Sequence, residues 1–62
     1  MNRIQEVLMR RDDMTEYEAA IEMDYVREEM MSIIETGNFE SAEDFFMDNL
    51  GLEMDYFDDL IG

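Results

Sequence analysis

Carboxylates are the only reactive side chains that this sequence offers in quantity: eighteen Asp and Glu stand against four Arg, with no Lys, His or Cys. General acid–base catalysis needs two carboxyls in unlike environments inside a pocket, so that their pKa values separate. No pair here stands out, and a chain this short leaves little room for a pocket. Nucleophilic catalysis has no Cys or His to draw on, and Ser32 and Ser41 have no evident base. Gly37, Gly51 and Gly62 are isolated, so there is no phosphate-cradling loop. The usual zinc, haem and iron–sulfur sites are excluded with the missing Cys and His. Asp12–Asp13 and the group Asp55, Asp58, Asp59 are clusters of hard oxygen donors. Neither has the alternating ligands, sixth-position Gly and twelfth-position Glu of an EF-hand loop. The chain reads as neither an enzyme nor a protein that holds a metal or cofactor.

The same carboxylates suit recognition. Glu18, Glu22 and Glu29 step by four and seven and share one side of a helix, with Glu28 and Glu35 on an adjacent strip. Glu40, Glu43, Asp44 and Asp48 follow downstream, then Asp55, Asp58 and Asp59. One acid per three residues, at a helical rise of about 1.5 Å, gives about one negative charge per 4.5 Å of helix. A single DNA strand carries one per about 3.4 Å. Two readings follow. In the first, the acids are the solvated face of an amphipathic bundle. In the second, Glu18, Glu22, Glu28, Glu29, Glu35, Glu43, Asp44, Asp48, Asp55, Asp58 and Asp59 form a partner-binding surface that imitates nucleic acid. An ordinary solvated helix mixes Lys with Glu, since opposite charges three and four residues apart support it. This chain contains no Lys.

The charge is uneven as well as large. Residues 1–11 carry three Arg and one acid, whereas residues 12–62 carry seventeen acids and one Arg. The net −14 repels nucleic acid and anionic membranes and attracts basic protein surfaces. Arg3, Arg10 and Arg11 either lie on acidic surface, of this chain or of a second copy, or are simply solvated.

The elements that position these groups are helices. Asn2 is placed to cap a first helix over about 2–11, with Gln5 at the reciprocal position and Ile4, Val7, Leu8 and Arg11 on one face. Thr15 and Glu18 form a capping box for a long helix that ends near Thr36, before Gly37. Ala19, Met23, Val26, Met30 and Ile33 step by four and three along it, the spacing of a helix–helix seam. Ile21, Tyr25, Met31 and Ile34 make it apolar on further sides. A third helix runs from Asn38 or Ser41 to Asn49 with Phe39, Ala42, Phe45, Phe46 and Leu50 on its packing face, and Gly51 ends it. Glu53–Ile61 reads as a short last helix, closing the core with Phe57, Leu60 and Ile61. No strand-like alternation and no internal repeat are present.

The expected fold is therefore all-α: one domain, 1–62, a small bundle of three to four helices around one long central helix. A chain of 62 residues buries only about 60% of its unfolded surface, and small chains usually need a staple. With no Cys, self-association is the staple left, and a homodimer is expected through Met23, Val26, Met30 and Ile33 or through Phe45, Phe46 and Leu50. No apolar run approaches the roughly 20 residues of a membrane span, and the N-terminus lacks a secretory apolar core. Cytoplasmic location fits the absence of Cys.

Asn2 to Ala20 (NRIQEVLMRRDDMTEYEAA) and Gly37 to Leu60 (GNFESAEDFFMDNLGLEMDYFDDL) resemble small acidic helical proteins encoded by phages and mobile elements of Firmicutes-like bacteria. Gly37-Asn38-Phe39-Glu40 with Ala42 also resembles a helix start in tetratricopeptide repeats, although one partial unit is no array. The phage resemblance implies a protein that blocks host defence or host nucleic-acid enzymes, and it assigns no individual residue. The expected function is an inhibitor that binds a basic surface of a host nucleic-acid-handling or defence protein. The alternative is an acidic adaptor or assembly module that holds its partner by apolar contacts.

Overall fold

The structure, a computed structural model, describes residues 2–61; Gly62, one of the three glycines above, lies outside them. The described residues are all helical apart from turns and short links: α1 (Arg3–Arg11), α2 (Glu16–Glu35), α3 (Phe39–Leu50), a single 3₁₀ turn (Met54–Tyr56) and α4 (Phe57–Ile61). The last helix expected over 53–61 is thus divided between a 3₁₀ turn and little more than one turn of α-helix.

Local chemistry accounts for each boundary. The Asn2 side-chain oxygen accepts from the Ile4 amide at 2.8 Å and starts α1. Gln5 does not complete a capping box; its amide donates to the Glu16 carbonyl at 3.2 Å and ties α1 to the head of α2. The box on α2 is complete, with Glu18 N–H donating to Thr15 Oγ1 at 3.1 Å and Thr15 N–H to Glu18 Oε1 at 2.9 Å. Asn38, rather than Ser41, starts α3: its side-chain oxygen accepts from the Ser41 amide at 3.2 Å.

Ten apolar side chains form the core: Ile4 and Leu8 from α1, Ala19, Met23, Val26 and Met30 from α2, Ala42, Phe46 and Leu50 from α3, and Leu60 from α4. No buried side-chain nitrogen or oxygen among the described residues lacks a partner. The short link between α2 and α3 folds them into an antiparallel pair. Phe46 meets Phe57 edge-on, with ring centroids 6.0 Å apart, and Tyr25 meets Phe45 at 6.1 Å.

This core corrects the surface expected for self-association. Met23, Val26, Met30 and Phe46 are enclosed within one chain, and Ile33 and Phe45 are half-buried against the same core. Met23, Val26, Met30 and Phe46 are thus not free for a second copy in this fold, whereas Ile33 and Phe45 keep part of their surface. The seam is a helix-packing seam as its spacing predicts, and its partners here are α1, α3 and α4 of the same molecule. The apolar side chains left exposed are others: Tyr17, Ile21, Tyr25, Met31, Phe39, Met47 and Ile61.

Gly51 closes α3 in the left-handed region, at φ 64°, where a side chain is disfavoured. A Cβ there would also stand 3.2 Å from Arg11 Nη1. The helix has no basic residue in its own last turn, and Arg11 supplies one from α1, donating to the carbonyls of Leu50 at 2.7 Å and Gly51 at 3.3 Å. Gly51→Ala is expected to cost about 1–2 kcal/mol from the backbone alone, seen as a lower urea midpoint with an unchanged slope. A midpoint equal to that of the parent would place Gly51 outside any left-handed turn.

Candidate protein-binding surface

The acids are displayed along a body of 33 × 18 × 18 Å. Of the eleven expected to bind a partner, Glu18, Glu28, Glu29, Glu35, Asp44, Asp48, Asp55 and Asp58 are exposed, and Glu22, Glu43 and Asp59 are half-buried. Glu18 Oε1 is engaged in the α2 cap, and Asp59 pairs with Arg3 at 2.6 Å. Asp59 therefore belongs to the scaffold of the fold more than to a free acidic field. The remaining acids do not converge: among the described residues, no group of three or more could hold a metal ion.

Three of the four arginines are used within the chain, a feature the sequence did not disclose. Arg3 donates to Asp59 and to the Asp55 carbonyl at 3.2 Å, and its guanidinium lies 4.8 Å from the centroid of the Tyr56 ring. Arg11 pairs with Asp12 at 2.8 Å besides holding the end of α3. Arg27 pairs with Asp24 and reaches the Leu60 carbonyl at 3.4 Å. Each of these cations bonds a backbone carbonyl in the C-terminal part of the chain. Arg10 alone has no ion pair among the described residues. The question of whether the basic first helix is solvated is thus answered separately for each residue: Arg3 and Arg11 lie on their own chain, and Arg10 faces water. Asn2 adds a further tie, donating from its side-chain amide to the Asp59 carbonyl.

With Asp12, Asp24 and Asp59 paired, fifteen acids remain outside any ion pair among the described residues. Several stand where helix physics disfavours them. Glu35 is the last residue of α2 and Asp48 lies in the last turn of α3; neither helix has a basic residue of its own there, and only α3 receives one, Arg11, from elsewhere. A negative charge opposes the dipole at that end. Glu40, Asp44 and Asp48 repeat at four-residue spacing along α3, so like charges face each other from one turn to the next. Solubility alone does not require these positions.

The Arg11 hydrogen bond, with Arg11's charge behind it and slight desolvation opposing, holds the Asp12 carboxyl below the usual aspartate range. A carboxyl whose folded pKa lies below its unfolded one adds stability above the unfolded pKa, and that stability is lost as pH falls through the folded value. Asp12→Asn is therefore expected to be slightly less stable than the parent at about pH 7 and to match it by about pH 2. Urea unfolding of both proteins at each pH checks this, and the effect is small because the pair is exposed. A gap of equal size at both pH values would deny the pair any role in the difference.

A shallow groove of about 400 Å³ lies between the C-terminal half of α2 and the end of α4, lined by Arg27, Glu28, Met31, Ser32, Glu35 and Ile61. Sequence reasoning named Glu28 and Glu35 as binding residues, but it did not find the groove, which exists only because α4 folds back beside α2. No helix among the described residues is long and apolar enough to cross a membrane. The chain matches no protein-family model, no curated protein and no solved structure.

Proposed function

We propose that this chain is a phage-type inhibitor that binds a basic surface of a host nucleic-acid-handling or defence protein through its carboxylate field, acting in the host cytoplasm and without chemistry of its own. The observation that carries this reading is the placement of unpaired acids at helix C-termini and in like-charged rows, against the stability of the helices that hold them. Natural chains break local rules chiefly where function requires it. The magnitude is also apt. A duplex 33 Å long carries about 19 phosphates, and this chain carries eighteen carboxylates on a body of that length. Because only three acids are paired with the chain's own arginines, little of the field is cancelled from inside.

A basic groove that normally holds nucleic acid supplies the complementary charge, and association steered by charge weakens as salt rises. The test is capture of a partner from the bacterial host, washed at low and then high salt, followed by competition with duplex DNA. Loss of the partner at high salt and displacement by DNA support the reading; affinity indifferent to both overturns it.

The second reading, an acidic adaptor holding its partner by apolar contacts, is favoured by one observation. Tyr17, Ile21, Tyr25, Met31 and Phe39 are each at least half exposed, a large apolar surface for so small a chain. It predicts affinity that is nearly independent of salt.

A further inference from the structure

The long helix has two seams. One, Ala19–Met23–Val26–Met30, lies in the core. On the opposite side Tyr17, Ile21, Asp24, Glu28, Met31 and Glu35 also step by four and three, the spacing with which a helix meets a helix. This outer seam is open: Tyr17 is 75% exposed, Ile21 50% and Met31 54%, with Tyr25 beside Ile21 at 51%. At its C-terminal end Met31 and Ile61 form the apolar part of the groove described above, and Glu28 and Glu35 stand on either side of Met31. Seven residues separate these two acids, about 10 Å along the axis. Neither is in an ion pair among the described residues.

We propose that the outer seam of α2 docks one basic amphipathic helix of a partner protein. The occupant has apolar residues at three- and four-residue spacing and an Arg or Lys one turn to each side of the apolar residue that enters the groove. This rests on the reading that the acidic field meets a cationic partner, and adds where and in what form the partner is held. Charge complementarity selects this occupant. A second copy of the chain, at net −14, would bring its own acids against Glu28 and Glu35. A neutral helix would bury both carboxylates without a partner, which is strongly unfavourable. A basic helix satisfies both and covers Tyr17, Ile21 and Met31 in the same contact. Apolar anchors ringed by charged contacts are the usual arrangement of a specific protein interface.

The test uses designed peptides of about twenty residues, enough to span the seam from Tyr17 to Glu35. One carries a Leu seam flanked by Arg; a second has the same composition scrambled so that no seam forms. Poly-lysine serves as a probe of charge alone. The full chain is expected to bind the seam peptide at least tenfold more tightly than the scrambled one. Ile21→Ser with Met31→Ser is expected to erase that preference while leaving poly-lysine binding unchanged. Glu28→Gln with Glu35→Gln is expected to weaken the seam peptide about tenfold. All four side chains are exposed, and far-UV circular dichroism verifies that the variants remain helical. Equal affinity for seam and scrambled peptides overturns the docking site; salt-sensitive poly-lysine binding in that case leaves the acidic-field reading standing, and its absence removes that reading too. A dimer in sedimentation that the Ser variant dissolves also overturns the proposal, assigning the face to a second copy.

Discussion

Phe46→Ala is expected to abolish cooperative folding at 25 °C. Phe46 is fully buried, the largest enclosed side chain among the described residues, and it reaches from α3 across to Phe57 at the head of α4. Removing a core Phe costs about 3–5 kcal/mol, and losing an aromatic pair costs about 0.5–1.5 kcal/mol beyond that. The total stability of a chain this size is about 3–9 kcal/mol. Self-repulsion at net −14 pushes it toward the lower end of that range. The substitution therefore removes most or all of what holds the chain together. Circular dichroism during a urea titration checks it: the parent gives a sigmoidal transition and the variant a shallow slope. Phe45→Ala, at a half-buried position, is the matched comparison and should keep the transition. A Phe46→Ala protein that unfolds cooperatively with less than about 1 kcal/mol lost contradicts this core.

The second large effect has opposite signs in two measurements. The quadruple change Glu29→Gln, Glu35→Gln, Asp44→Asn and Asp48→Asn is expected to raise stability and lower partner affinity together. All four acids are exposed and unpaired among the described residues. Neutralising Glu35 and Asp48 relieves charge at helix C-termini, worth about 0.3–1 kcal/mol each. Neutralising Asp44 and Asp48 removes repulsion along α3, about 0.2–0.5 kcal/mol per pair. With two such pairs, the sum is a gain of about 1–3 kcal/mol. Affinity for a basic partner should fall about tenfold or more at low salt, with the difference shrinking as salt rises. If the acids serve only solubility, the variant gains stability and binds unchanged. Urea unfolding and titration calorimetry on the same preparation decide between them.

The helices were legible in the sequence because their signals are local. Thr15 with Glu18 is a box visible within four residues, and Gly37 and Gly51 mark two helix ends where the backbone turns left-handed, at φ 84° and 64°. The core seam of α2 was legible as periodicity, since Ala19, Met23, Val26 and Met30 share one side of any helix. What periodicity does not carry is the identity of the neighbour. A helix apolar on two sides looks the same whether its own chain or another covers a given side, and so the enclosed seam was assigned to a dimer. Gln5 departs from its expected capping role for a related reason: its side chain donates instead to the Glu16 carbonyl, which tertiary packing brings within 3.2 Å.

The candidate surface was legible in composition but not in detail. The exposed acids of α2 and α3 could be named from spacing alone. The roles of Arg3, Arg11 and Arg27 could not, because their carbonyl partners lie 52, 39 and 33 residues away along the chain. Asp59 was counted as free for the same reason, its cation being 56 residues distant. The groove beside Met31 depends on where α4 comes to rest, and no feature of residues 53–61 states that in advance.

The bonds from Asn2 and Arg3 to Asp59 also carry a consequence for biosynthesis. Ile4 and Leu8 are made well before Asp59, so the polar ties that seat α1 against α4 form only after α2 and α3 have been synthesised. At about 5–20 residues per second, the interval between Asn2 and Asp59 is about three to twelve seconds. In that interval α1 is a cationic amphipathic segment whose apolar side only α2, the next helix made, is in place to cover. Of the helices, α1 alone carries a net positive charge, so its apolar side is flanked by cations until the acids of the later helices fold beside it.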